Sequence, residues 1–582
     1  MNAHHLLHLF LYLTVVSIGF CKVTNITDFV PEVNIDKLGK VRGRVTMSHW
    51  TKRLIYSFQG IPYAIPPVGK MRFQVSTKLL HFVPEVNIDK LGKVRGRVTM
   101  SHWTKRLIYS FQGIPYAIPP VGKMRFQSPR PAQPWTTPLN ATSLKRRCPQ
   151  IFDASSNIEV LTSTEALEDC LYLNVYTPMC YFCSEQISTN VNQTEASQKL
   201  FPVIFYIHGG SFRVGSSHSM TPHYLLEKDV VLVTIQYRLG ILGFLSLETN
   251  EIPGNMGFLD MLLALEWVND HIRSFNGDKN CVTLMGQSAG GAAVTFFLTS
   301  PLVRDDLFHR AIIQSGSGLC DWSFENETGM GRQFIEDLGC RLDNVDDSFV
   351  AECLRRKSLS DLFKTYYSME YGGKFCQAVK QTHGKKRFLT ETPEESFAKG
   401  AVKNVPVLLG VTKHEGSSFL EGKSGDHSHH LAGLAVLKSC VFHTARLLSS
   451  MHNSTFLYSF HFKGRFTKYF EYRDKNDSRF PHELQLLPRT MVDLWTNFAT
   501  YGYPFSEDVP DWQPVANDSL GPFLRIDERS ELRKSFLEEF TIATREGVEA
   551  YYSENGGSCE RTSWVHVILC TLLHLLLVKY KT

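Results

Sequence analysis

Cys281-Val-Thr-Leu-Met-Gly-Gln-Ser-Ala-Gly-Gly291 is the stretch whose reading decides the fold. Its apolar start reads as a short strand that runs into Gly286-Gln-Ser-Ala-Gly290, followed by a helix through Ala292 to Leu298. A G-x-S-x-G turn at such a junction holds a serine on a sharp corner, with glycines on either side because side chains there would clash with the tight backbone. The corner exposes Ser288 Oγ, and the N-terminus of the following helix places positive potential beneath developing negative charge. Glycine and serine recur in ordinary loops, so the five residues alone are a weak signal. The strand before them and the helix after them make Ser288 a candidate nucleophile.

Working outward, the chain from residue 200 alternates strand and helix signals, as doubly wound α/β proteins do. Phe201-Pro-Val-Ile-Phe-Tyr-Ile207 and Val230-Val-Leu-Val-Thr-Ile-Gln-Tyr237 are continuous apolar runs suited to strands covered on both faces. Residues 257–272 carry apolar residues at helical spacing, and Ala311–Gln314 and Val405–Val411 supply later strands. The fold class expected is α/β, with a large, mostly parallel central sheet and helices on both faces. After the strand ending at Ile207 comes His208-Gly-Gly-Ser-Phe212, whose bare backbone can present N–H donors to an oxyanion, joined by the N–H of Ala289. Beyond the strand near Val411, Glu415 in Gly410-Val-Thr-Lys-His-Glu-Gly-Ser-Ser-Phe419 stands where a carboxylate could orient a histidine. Most carboxylates are simply solvated, so spacing alone leaves that role open.

Composition sets the compartment. The 582 residues, 43% of them apolar, can bury a large core, and the net charge of +5 with no basic stripe among aromatics argues against nucleic-acid binding. Residues 1–21 form an apolar run ending near small residues, read as a signal peptide although its start lacks Lys or Arg. Asn25, Asn140, Asn192, Asn326, Asn453, Asn476 and Asn517 each open an N-x-S/T triplet, and seven of them beside an export signal favour a glycosylated, extracellular surface. The 13 cysteines suit an oxidising compartment. Cys148 and Cys170 bracket one polar loop and Cys340 and Cys353 another, and a disulfide could close either. Cys281 reads as a buried thiol. Cys180-Tyr-Phe-Cys183 has zinc-like spacing but no second pair or histidine nearby, so no metal site is expected.

An exact duplication occupies the N-terminal part. Phe29 through Gln74 recurs unchanged as Phe82 through Gln127. Solenoid repeats drift and stack at least three copies, so the duplicate reads as a repeated exon or a faulty gene model. The second copy runs directly into Ser128-Pro-Arg-Pro-Ala-Gln-Pro-Trp135 and is expected to pack. The first, within residues 22–81, is then surplus and leaves Trp50, Phe58 and Ile61 without a core.

Together these stretches resemble the carboxylesterase/cholinesterase family (type-B carboxylesterases) of α/β-hydrolases. The resemblance rests on Phe111-Gln-Gly-Ile-Pro-Tyr-Ala117, Glu168-Asp-Cys-Leu-Tyr-Leu-Asn-Val175, His208–Phe212, Tyr237-Arg-Leu-Gly240, Gly254-Asn-Met-Gly257, Gly286–Gly290 and Asp493-Leu-Trp-Thr-Asn-Phe498. It covers residues 82–550, the expected catalytic domain. It implies Ser288 as nucleophile, Gly210, Ser211 and Ala289 as oxyanion donors, Glu415 as the acid, and disulfides Cys148–Cys170 and Cys340–Cys353. The activity implied is hydrolysis of small carboxylic esters through an acyl-enzyme, which needs no cofactor.

The chain also departs from that pattern. Ser211 replaces the third glycine of the family's H-G-G-G, tolerable because the donor is backbone. Gln287 stands before the nucleophile where many members carry Glu, a choice shared with juvenile hormone esterases. The loop from Cys148 to Cys170 lacks tryptophan, so the cation–π seat of cholinesterases is missing and choline esters are disfavoured. The family's histidine segment is not intact. Chain order leaves His427, His429, His430, His443, His452, His461 and His482. His461 lies in a core-strand pattern and reads as structural. His482, in Phe480-Pro-His-Glu-Leu484, is the candidate base, although no glycine precedes it and the segment onward to Asp493 looks short. The alternatives are a catalytic histidine lost from the gene model, or a non-catalytic adhesion or receptor ectodomain, which in this family typically loses the serine kept here. Residues 551–582 combine small residues at Asn555-Gly-Gly-Ser558, an apolar run from Trp564 to Val578 and a basic end, so a GPI signal, a short membrane anchor and neither all stay open.

Overall fold

The computed structural model describes residues 32–35, 39–42, 44–47, 54–57, 83–150, 167–179, 199–325, 329–340, 346–368, 376–415, 433–451, 454–462, 486–517 and 519–544. The chain divides into two compact units, Met1–Lys78 and Leu79–Thr582. In the first unit, β1 (Glu32–Ile35) pairs antiparallel with β2 (Gly39–Arg42), and β3 (Arg44–Met47) with β4 (Leu54–Ser57). Among the described residues these two hairpins pair with nothing else.

The second unit repeats the same start with β5 (Glu85–Ile88), β6 (Gly92–Arg95), β7 (Arg97–Met100) and β8 (Leu107–Pro115). Then come β9 (Leu139–Asn140), β10 (Tyr172–Pro178), β11 (Phe201–Ile207), β12 (Val231–Ile235), β13 (Gly277–Gln287) and β14 (Arg310–Gln314). The short β15 (Phe324–Glu325) and β16 (Ala378–Val379) pair with each other, and β17 (Val407–Thr412), β18 (Thr455–Phe460), β19 (Phe523–Ile526) and β20 (Glu531–Arg533) complete the set. An 11-stranded sheet runs β20-β19-β18-β17-β14-β13-β11-β12-β10-β8-β7. From β12 to β19 every pairing is parallel, and the margins are antiparallel. This is the doubly wound α/β sheet that the apolar runs imply.

Strand alternation builds two cores at once. In β11, Val203, Phe205 and Ile207 face one cluster while Ile204 and Tyr206 face the other. β12, β14 and β17 divide the same way, which is why their sequences are apolar without a polar face. Helices α1 (Met256–His271) and α2 (Ala289–Thr299) contribute Phe258, Leu265, Val294 and Phe297 to the first core, as does α3 (Ser439–Met451) through Val441 and Leu448. Helix α4 (Leu486–Tyr501) covers the opposite face with Leu494, Trp495 and Phe498. All the strands of the parallel run point the same way, so the loops after their C-terminal ends gather along one edge of the sheet, where α/β proteins place their sites.

Disulfides close Cys148–Cys170 and Cys340–Cys353, and a third joins Cys320 to Cys440. Cys281 is half-buried rather than buried. It lies in a bulge of β13, where Asp278, Lys279 and Asn280 are polar and partly or fully exposed, between the paired Gly277 and the return to the packed sheet at Val282. Arg310 Nη1 donates to its sulfur at 3.1 Å. Asn140 and Asn517 are exposed, whereas Asn25, Asn192, Asn326, Asn453 and Asn476 lie outside the described residues. The expected signal peptide, the Cys180–Cys183 pair, Trp50, Phe58, Ile61 and the C-terminal anchor segment lie outside them too. Among the described residues no helix is long and apolar enough to cross a membrane, and no group of side chains could hold a metal ion.

Candidate active site

Strand β13 ends at Gln287 and α2 begins at Ala289, leaving Ser288 alone at the corner with φ 56° and ψ −122°. A non-glycine residue held there costs on the order of 1–3 kcal/mol and persists only where its surroundings over-determine it. They do. Ser288 N donates to Gln314 O at 2.8 Å, and Ala292 N donates to Ser288 O at 3.0 Å to open the helix. Gly290 sits flush on the Ile207 carbonyl, with no room for a methyl group. Gly209 packs as closely on the Gln287 carbonyl, where an added Cβ would lie 3.1 Å from Ser288 Cβ. The end of β11 and the corner after β13 therefore meet directly, which is why both glycines of the elbow and the first glycine after His208 are required. Ser288 is partly exposed, and its hydroxyl makes no hydrogen bond among the described residues.

The loop after β11 is a tight turn held from outside. Gly210, Ser211 and Phe212 all have positive φ, at 115°, 55° and 57°. Arg213 N and Val214 N both donate to Gly210 O at 3.0 Å, folding the turn on itself. Tyr237 Oη donates to His208 O at 2.8 Å and Gly240 N to Phe212 O at 2.7 Å, so the Tyr237–Gly240 stretch grips both ends of the turn. The His208 ring stacks on Tyr237 at 4.3 Å, and its Nδ1 donates to Gly209 O at 3.0 Å. Burial pushes His208 down to about 4, so the imidazole is neutral near pH 7 and acts as packing. Among the described residues the amides of Gly210, Ser211 and Ala289 donate to no protein acceptor. Tyr237 and Gly240 were legible in sequence only as part of a family stretch; their task of holding this turn was not.

On the far side of β14, the chain leaves β17 at Thr412 and brings Glu415 back over the strand end. Glu415 Oε1 accepts from Thr412 N at 2.7 Å, and the residue is 9% exposed. Burial, and after it the Glu415 charge, push the neighbouring Tyr458 hydroxyl up. His461 follows β18 directly, and its Nε2 lies 2.7 Å from Glu539 Oε1, while Lys438 Nζ reaches Glu539 Oε2 at 3.3 Å. Burial opposes the Glu539 charge, but the His461 bond and the Lys438 charge hold that carboxyl at about 2. The His461 ring is thereby occupied in the core. His443 lies on α3, where burial, and then Arg446, push it to about 4. His482, with His427, His429, His430 and His452, lies outside the described residues.

The carboxylesterase family model matches residues 30–82 and again 83–433, breaking at the boundary between the two copies. Juvenile hormone esterase of Tribolium castaneum is 32% identical over 523 residues, covering 73% of this chain and 85% of that protein. Esterase FE4 of Myzus persicae is 37% identical over 352 residues, covering 59% of this chain and 58% of that protein. Carboxylesterase 3B of Mus musculus is 38% identical over 368 residues, with 60% of each chain covered. The chain thus spans less than two thirds of the length of the latter two.

Proposed function

The chain belongs to the carboxylesterase family, and from that premise we propose that it hydrolyses small carboxylic esters through an acyl-enzyme on Ser288. The observation that carries this reading is the corner at Ser288, a strained serine against which the turn after His208 packs directly and whose hydroxyl, like the amides of Gly210, Ser211 and Ala289, has no partner among the described residues. Ser288 Oγ attacks the ester carbonyl, and Gly210, Ser211 and Ala289 donate to the oxyanion that forms. A preorganised donor of this kind is worth about 3–4 kcal/mol of transition-state stabilisation. Glu415 orients the base. The strands that lead to Ser288 and Glu415 are two sheet spacings apart, on the order of 10 Å, which one imidazole and its hydrogen bonds can bridge. His482 is our candidate for that imidazole, following Glu415 in the chain order of such enzymes. It would take the serine proton, return it to the leaving alcohol, and then activate the water that releases the acid.

The disulfides and the exposed Asn140 and Asn517 support a secreted or cell-surface setting. Replacing Ser288 by Ala tests the mechanism. Turnover of p-nitrophenyl esters is expected to fall on the order of 10⁶-fold with the circular dichroism spectrum unchanged. Wild-type turnover in Ser288→Ala would refute the assignment. Activity that survives in His482→Ala would move the base to another histidine.

A further inference from the structure

One helix touches both the acid and the wall behind the nucleophile. Residues 315–323 leave β14 and pass directly behind the Ser288 corner. Gln314 O holds Ser288 N, Ser315 N donates to Gly410 O at 2.8 Å, and Gly316 packs so closely on the Ser288 backbone that no side chain fits between them. The same turn is tied to α3 and the π-turn before it at three points. Ser317 Oγ and Thr444 Oγ1 lie 2.5 Å apart, Trp322 Nε1 donates to Val436 O at 3.1 Å, and Cys320 is disulfide-bonded to Cys440. At the other end of that helical segment, Gly433 packs against the Glu415 carbonyl with no room for a methyl group. Between these contacts the π-turn Leu434–Lys438 is pinned in the core by the buried Lys438–Glu539 pair.

Resting on the ester-hydrolase reading, we propose that Cys320–Cys440 is a positioning bond for the reaction: it locks the turn behind Ser288 to the helix that seats Glu415, and so sets the distance between nucleophile and acid. A disulfide that merely stapled the fold would act through the unfolded chain and leave the folded enzyme's turnover alone. A bond that positions reacting groups shows up in turnover, since a misplacement of about 1 Å can cost on the order of 100-fold. The two cysteines are 120 residues apart in sequence, and the bond is not among those the family resemblance implies.

The test compares the parent protein with the Cys320→Ala/Cys440→Ala double variant at a temperature where both are folded by circular dichroism. Labelling of Ser288 by an organophosphate and steady-state hydrolysis of a p-nitrophenyl ester are read together. The expected result is a drop of at least about tenfold in kcat and in labelling rate, with KM little changed. A lower melting temperature with unchanged kcat and labelling overturns the proposal, because it leaves only a staple. If the double variant does not fold, the parent is reduced mildly until alkylation of Cys320 and Cys440 shows the bond open, and the same rates decide. Thr444→Val, which keeps the disulfide and removes one of the other ties, is expected to lower kcat by a smaller factor in the same direction. A parent that takes no label on Ser288 overturns the ester-hydrolase reading and this inference with it.

Discussion

Residues 29–74 and 82–127 have one sequence and two structural outcomes. Their hairpins are alike to the register: Glu32 faces Arg42 as Glu85 faces Arg95, and Arg44 faces Ser57 as Arg97 faces Ser110. Even the ion pairs match, with Arg42 and Arg95 each 2.6 Å from its glutamate. What differs is everything supplied from downstream. In the second copy β6 pairs with β9, Trp135 Nε1 donates to Lys93 O, and β8 pairs with β10. Val94 is fully buried there, whereas its counterpart Val41 is only half-buried and Val33 is 48% exposed. Pairing within a hairpin is written in the hairpin, while burial among the described residues is decided by what only the second copy adjoins.

The harshest way to break this comparison is to put the same charge into each copy. Val94→Asp buries an unpaired carboxylate in the core, expected to cost more than about 4 kcal/mol, a large part of the 5–15 kcal/mol a folded protein commonly has. Val41→Asp should cost at most about 1 kcal/mol. Melting temperatures of the two variants decide between them. If Val94→Asp melts like the parent, the first copy has taken the second's place, and the Val41→Asp/Val94→Asp double variant should then fail to fold.

A milder contrast uses Arg125. Its guanidinium donates from Nε to Glu168 Oε2 at 2.8 Å and from Nη1 to the carbonyl of Lys357 at 2.7 Å, in a buried setting. Arg125→Ala leaves Glu168 as an uncompensated buried charge and should cost about 3–5 kcal/mol. Arg72, the equivalent position in the first copy, lies outside the described residues, and the same change there should stay within about 0.5 kcal/mol if that copy is surplus. Equal losses of denaturation free energy in the two variants would mean that both arginines are paired and that the copies are more alike than the sheet shows.

The hairpin charges should not distinguish the copies at all. Lys40 and Arg42 lower the Glu32 carboxyl below 4.5, and Arg95 and Lys93 lower Glu85 in the same way. A carboxyl depressed in the folded state favours folding above its ordinary value, and that contribution fades as pH falls through the folded value. Side-chain NMR titration should therefore show both glutamates deprotonating below 4.5, with closely similar midpoints. A depressed Glu85 beside an ordinary Glu32 would show that the ion pairs depend on the surrounding sheet.

The same division between local and distant information governs what could be read from the sequence elsewhere. Strands such as Phe201–Ile207 were legible because both faces are covered, so every residue is apolar. The corner at Ser288 was legible because its glycines answer to backbone only a few residues away and to one neighbouring strand. Cys320–Cys440 was not, since nothing near either cysteine encodes a partner 120 residues away. Nor was Glu539 as the partner of His461, although the apolar strand pattern around His461 did mark it as a core residue. Cys281 reads as buried from its place on the strand feeding the nucleophile and is half-buried instead, because β13 bulges between Gly277 and Val282, a detour that no local signal announces.

The smallest expected effect comes from removing a copy. Deleting residues 29–81 joins Asp28 to Phe82, and deleting residues 75–127 joins Gln74 to Ser128. Because the two copies are identical, both deletions yield the same polypeptide. No deletion experiment can therefore ask which copy matters, only whether one is enough. In the shortened chain the single copy adjoins Ser128 and the residues that supply β9 and β10, so it inherits every contact of the second copy described above. Melting temperature and p-nitrophenyl ester turnover are both expected to match those of the full chain. A marked loss of either would show that Glu32–Ser57 makes contacts the rest of the molecule depends on, and the two copies would then have to be read as two working parts rather than one part written twice.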